Sequence, residues 1–98
     1  MAYVVELHPG ALAEAEKAVA WYAQRNAHAA VAFARAVSHA IDLISESPER
    51  WPVYLEGTRR ILVERFPFQL VYRVGGTRVL VVAVAHGRRR PGYWASLK

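Results

Sequence analysis

Residues 79–85 read VLVVAVA, an unbroken apolar run that empties into His86, three consecutive arginines and, after Pro91-Gly92, a Tyr-Trp pair. A run this short is a strand, and one apolar at nearly every position belongs in the middle of a sheet. Gly75-Gly76 stands just before it and offers the positive φ angles of a two-residue hairpin turn. The preceding segment FQLVYRV, from Phe68 to Val74, is therefore its antiparallel neighbour. Such a strand delivers charge and aromatic rings to one edge of a domain. It is far too short to span a bilayer, which needs roughly 20 apolar residues.

The rest of the chain reads as scaffold for that edge. Tyr3 to Leu7 (YVVEL) is β-branched and alternating, a strand that His8-Pro9-Gly10 breaks. From Ala11 an alanine-rich segment favours helix, with Leu12, Ala15, Val19 and Tyr22 at helical spacing. Asn26 stops this helix or caps the next. A second helix, Ala27 to Ser47, puts Ala30, Phe33, Val37, Ala40, Ile41 and Ile44 on one stripe, and so short a link makes the pair an antiparallel hairpin. Ser47-Pro48 ends it, because a residue before proline is pushed out of the α region. A loop pinned by Trp51 and Tyr54 leads to three strands: Thr58 to Arg65, Phe68 to Val74, and Thr77 to His86. The order β-α-α-β-β-β defines an α+β fold, a helical hairpin packed on one face of a small, mostly antiparallel sheet. At 98 residues the chain is one domain, 1–98. The other face, or its far end, is expected to form a groove crowded by Arg59, Arg60, Arg65, Arg73, Arg78 and the tail arginines.

Charge is divided unevenly along the chain. Up to Glu56 there are four basic against seven acidic residues; from Gly57 on there are nine basic against the single acid Glu64. The positive field of the C-terminal half suits a polyanion or an acidic partner. No cysteine is present, which removes disulfides, thiolate metal sites and a cysteine nucleophile, and fits a reducing cytoplasm. The N-terminal residues show no signal-peptide pattern. His8, His28, His39 and His86 have no metal-ligand spacing, and Gly75-Gly76 lies in a hairpin and not in a phosphate loop. Neither a metal nor a cofactor is expected.

What remains is arginines with one histidine and several aromatics. Arginine binds phosphates bidentately and stabilises charge on a pentavalent phosphate, and a histidine or tyrosine beside it could move the 2′-hydroxyl proton in RNA cleavage. His86 can equally be a strand-end histidine bonded to backbone, Tyr93 and Trp94 can plug the open end of a small core, and Arg88 to Arg90 can be a solvated run.

The ordered set Ala18 to Tyr22 (AxxWY), Trp51-Pro52, RRIL (Arg59 to Leu62), FPFQLVYR (Phe66 to Arg73) and AVAHGRRRPGYW (Ala83 to Trp94) resembles the RelE/ParE family of type II toxin-antitoxin toxins, closer to the ParE branch. The likeness covers nearly the whole chain. It implies a toxin neutralised by a co-expressed antitoxin that wraps it in a hetero-oligomer. RelE-type toxins cut mRNA on the ribosome with a basic pair two residues apart on the second strand, an arginine before the LVY segment, an arginine after the last strand and a C-terminal tyrosine. Here Arg60 takes the first place, but Leu62 and Gln69 stand where two cations are needed; Arg88 or Arg89 and Tyr93 match the last two. The ParE branch lacks that set too, and its members act on DNA gyrase.

The resemblance therefore implies a cytoplasmic, non-enzymatic inhibitor of DNA gyrase; Arg59, Arg60, Arg88, Arg89, Arg90, Tyr93 and Trp94 are expected to form its target-binding surface, because charge and aromatics together make interface hot spots. The alternative is a ribosome-dependent mRNA endonuclease using Arg60, Arg65, Arg73, His86 and Tyr93. A third reading is an antitoxin-binding module with no target activity. The antitoxin is expected to lay an amphipathic helix and an extended segment on the helical hairpin and sheet edge, acidic where it meets the arginines.

Overall fold

The computed structural model describes residues 2–96. A proline at the first helical position gives up only an N–H that a helix start leaves unbonded. Helix α1 (Pro9–Ala23) accordingly begins two residues earlier than its alanine-rich pattern suggests. His8 caps it, Nδ1 accepting the Gly10 N–H at 3.0 Å. The stripe facing the sheet is Ala11, Ala15, Ala18 and Tyr22, with Val19 at its border, and it does not run through Leu12, which is 48% exposed. Alanines let the helix lie close to the sheet, and that close approach turns Leu12 outward. Asn26 caps α2 (Ala27–Glu46), its Oδ1 accepting the N–H groups of His28 at 2.8 Å and Ala29 at 3.3 Å. Asparagine suits this place because its short side chain satisfies N–H groups that the first turn leaves open. The α2 stripe is as expected, with Ala30, Phe33, Val37, Ala40 and Ile44 buried.

Strands β1 (Val4–Leu7), β2 (Arg59–Leu62), β3 (Phe68–Gly75) and β4 (Arg78–His86) form one sheet in the order β1-β4-β3-β2. β1 runs parallel to β4 and the other pairs are antiparallel, so the apolar strand does sit inside the sheet. β2 ends at Leu62, short of the expected Arg65. Arg65 turns into the left-handed region, at φ 72°, on the way to β3.

The helices cover one face. Phe33 is fully buried against Tyr22, Phe66 and Phe68, with ring centroids 5.0–5.3 Å apart. Tyr72 lies fully buried in the same layer and donates its O–H to the Pro48 carbonyl at 2.6 Å, fastening the loop after α2. Burial, opposed by the nearby Arg59 charge, pushes its phenol pKa up to about 12, since a buried site disfavours the charged phenolate.

A bulge decides what covers the other face. Tyr72 stands opposite Val81 and Val71 opposite Ala83, which leaves Val82 as an extra residue in β4. The alternation shifts there: Val79, Val81 and Val84 belong to the helix-side core, while Val82, Ala83 and Ala85 join Val71 on the far side. That shift accounts for a run that is apolar at consecutive positions. Trp94, in the 3₁₀ turn Tyr93–Ser96, lies over this second cluster with Tyr54 and Tyr93 beside it. The expected groove on this face is thus filled by the chain's own C-terminal arm.

The expected crowding of arginines is not found either. Arg78 pairs with Glu6 at the β1 edge, Arg65 sits in the β2–β3 turn, and Arg59 lies on the Tyr72 side of the sheet. Side chains alternate along the strands, so Arg60, Arg73 and Arg78 point to the arm-covered side, but Arg78 is drawn to Glu6 at the β1 edge. No helix among the described residues is long and apolar enough to cross a membrane.

Candidate functional site

On the face covered by the arm, aromatic rings and arginines form a continuous ladder. Arg60, on β2, lays its guanidinium over the Tyr54 ring, 4.1 Å from the centroid, and its Nη1 donates to Gln69 Oε1 at 3.2 Å. Tyr54 packs against Trp94, and Trp94 against Tyr93, each pair with centroids 5.5 Å apart. Arg89 closes the far end, 3.9 Å over the Tyr93 ring. A guanidinium over an aromatic face is attracted by the ring quadrupole and held in a fixed orientation. Arg73 lies on the same face and donates to the Glu56 carbonyl at 3.3 Å.

Local chemistry sets the ends of the ladder. Tyr54 is held by its N–H, which bonds the Thr58 carbonyl at 2.7 Å, while the buried Thr58 hydroxyl donates to the Leu55 carbonyl at 2.5 Å. After β4 the chain turns at once: the Gly87 N–H bonds the Pro67 carbonyl at 2.7 Å and the Arg89 N–H the His86 carbonyl at 3.0 Å. Gly92, at φ 82°, supplies the left-handed step that brings Tyr93 and Trp94 back onto the sheet. A residue without Cβ takes that conformation at no steric cost.

Of the seven residues expected to form a target-binding surface, the ladder joins Arg60, Arg89, Tyr93 and Trp94. Arg88 and Arg90 are exposed on the turn beside it. Trp94 is a correction: at 3% exposure it is the buried centre of the ladder and cannot be a surface contact. Arg59 is another, since its Nη1 donates to the carbonyls of Glu49 at 3.2 Å and Trp51 at 2.5 Å and so ties loop to strand.

The residues of the nuclease alternative are not brought together. Arg60 and Arg73 lie on the arm side of the sheet. His86 lies on the helix side, its ring edge-on to Phe68 at 5.1 Å. His86 Nδ1 accepts the Arg88 N–H at 3.0 Å, the backbone role open to a strand-end histidine. Arg65 is in its own turn. Tyr93 donates its O–H to Glu14 Oε2. Burial first, then the hydrogen bond to Glu14 and its charge, raise the Tyr93 phenol well above its ordinary value, with Arg89 opposing. In its neutral form the phenol is the donor to Glu14. Leu62 and Gln69 face each other on this surface, and Leu62 is 72% exposed.

Glu14 is the site residue that the sequence does not reveal. A glutamate in an alanine-rich helix looks solvated, and its partners stand 70 and 79 positions away. Its Oε1 accepts the Val84 N–H at 2.9 Å, and Arg89 approaches Oε2 at 3.8 Å. Around it lies a groove of about 480 Å³ lined by Lys17, Trp21, Tyr22, Phe68, His86 and Arg88 among others. No group of three metal-ligating side chains occurs among the described residues.

The chain is thus a two-layer β-α-α-β-β-β domain whose second sheet face is covered by a basic, aromatic C-terminal arm. The family model described as ParE toxin of type II toxin-antitoxin system, parDE, matches residues 5–91, and the chain belongs to that family. Among solved structures it is similar to a chain of the chromosomal ParDE toxin-antitoxin system from P. aeruginosa. The TM-score is 0.75 at 16% identity, over 86% of this chain and 95% of that one. No curated protein sequence gives a significant match.

Proposed function

We propose that this chain inhibits DNA gyrase without catalysing a reaction of its own, and that a co-expressed antitoxin silences it in the cytoplasm. The observation that carries this reading is the ladder Arg60–Tyr54–Trp94–Tyr93–Arg89. Aromatic rings and arginines, pre-ordered by mutual contact, are the composition of binding hot spots, and their rigidity lowers the entropy lost on association. A metal-independent ribonuclease needs cations, a base and an acid converging on one phosphate. Here Leu62 and Gln69 occupy two of the cation positions, and His86 faces the other layer. The choice of gyrase as target rests on membership in the ParE toxin family.

The antitoxin reading is supported by two open apolar surfaces. Between the outer sides of α1 and α2 lies a groove of about 410 Å³ lined by Leu12, Ala15, Val19, Ala34 and Val37 among others. Its apolar lining suits the apolar stripe of a helix. β2 is an edge strand with Leu62 and the adjacent Val53 exposed, a template for an extended segment.

The test is purified chain added to gyrase and to a translating ribosome system in parallel. Loss of supercoiling with accumulation of cleaved DNA, and intact mRNA, is the expected outcome. Cleavage of translated mRNA with gyrase unaffected would overturn the reading in favour of the endonuclease.

A further inference from the structure

We infer that Glu14 is the positioning residue of the C-terminal arm, one carboxylate that fixes Tyr93 and Arg89 at the end of the ladder while closing the open flank of β4. The inference rests on reading the ladder as the effector surface.

The need for such a residue follows from the topology. β1 ends at Leu7, opposite Val81, and β4 continues to His86 with no strand on that side among the described residues. A backbone N–H left there requires a partner. Helix α1 crosses this flank, its Ala11 and Ala18 buried against the sheet, so the backbone that carries Glu14 is fixed. The side chain reaches down to the Val84 N–H with Oε1, which aims Oε2 at the arm. There it accepts the Tyr93 O–H and meets the Arg89 guanidinium.

The arrangement asks for a carboxylate in particular. Ionised, it accepts at both oxygens, whereas an amide accepts at one and donates at the other. Glutamine can keep the Val84 bond, but it offers Arg89 no charge and presents Tyr93 with a donor. Aspartate is one methylene too short to span both partners. The charged or titratable groups around the carboxylate are Lys17 and Tyr22 on the same helix, His86 at the end of β4, and Arg88, Arg89 and Tyr93 in the arm. Among the described residues no other carboxylate lines this groove, so Glu14 is the acidic group that α1 offers the arm there.

Two readouts test this in Glu14→Gln, which preserves the backbone acceptor and so the fold. NMR titration of the tyrosine ring carbons follows Tyr93 directly, with Tyr72 as the internal check on folding. The expected result is a Tyr93 titration about one pH unit lower than in the wild type, a tenfold change in its ionisation constant, with Tyr72 unmoved. Growth arrest on induction without antitoxin should weaken by about tenfold, and adding Tyr93→Phe should weaken it no further, as for residues acting as one unit. An unmoved Tyr93 titration in a folded variant, or undiminished arrest, overturns the inference. Should the wild type stop translation and not DNA synthesis while both readouts still change together, Glu14 keeps its role and only the gyrase target falls.

Discussion

The two faces of the sheet are covered in different ways. The helix face is closed by two long elements whose apolar stripes interlock over Phe33, Ile44, Leu70 and Tyr72, all fully buried. The arm face is closed by one tryptophan on four small or β-branched residues, with arginines at either end of its aromatic neighbours. The first face holds the fold together. The second is a smaller cluster, and the rings over it are flanked by cation–π contacts and met by the Glu14 carboxylate. Binding surfaces are drawn from such less stable regions, and the contrast separates the chain into a scaffold and the arm that we propose as its effector.

The contrast is broken most severely at Phe33. Phe33→Ala removes the ring at the centre of the helix-side cluster and should cost about 3–5 kcal/mol, measured as the shift in denaturant midpoint. Trp94→Ala is expected to be milder for the fold, about 2–3 kcal/mol, because the cluster beneath it is small and its neighbouring rings can close over the gap, yet it should abolish growth arrest. Equal losses of stability at the two positions would mean that the arm is part of the fold and not an addition to it.

Tyr72 sharpens the comparison through pH. Its phenol is raised from 10.0 to about 12, so the folded state favours the neutral form. Its contribution is whole below pH 10.0 and is lost as pH rises through about 12, as linkage requires of a group whose folded pKa lies above its unfolded one. Tyr72→Phe leaves the buried Pro48 carbonyl without its donor and should cost about 1–3 kcal/mol at neutral pH. It should also remove part of the alkaline loss of stability, measured by denaturant unfolding at neutral and alkaline pH. The smallest effect on stability is expected at Arg60. Arg60→Leu is an exposed change worth within about 0.5 kcal/mol, and it should still weaken gyrase inhibition because it removes one end of the ladder.

Much of the scaffold is legible in the sequence, since local rules agree there. The Gly-Gly hairpin, the α2 stripe and the wholly apolar last strand each point to the arrangement observed. The α1 pattern points too far toward Leu12, because alanine carries too little hydrophobic signal to mark the face that lies closest to the sheet. The site is legible only as composition. Tyr93, Trp94 and the arginines announce themselves, but the bulge at Val82 that makes room for the arm leaves no trace in an unbroken apolar run. Nor does the division of the strand and turn arginines among edge, loop, turn and surface. Glu14 cannot be found from local pattern, because its meaning comes from residues 70 and 79 positions away.

The central claim is that the arm belongs to a gyrase inhibitor and not to a ribonuclease. A short induction of the chain alone in bacteria, with thymidine and amino-acid incorporation followed side by side over the first minutes, tests it most directly. The account predicts that DNA synthesis falls first, and that Arg60→Leu and Trp94→Ala both delay the fall. A collapse of protein synthesis before DNA synthesis would contradict it, and would make Leu62 and Gln69 compatible with a nuclease after all.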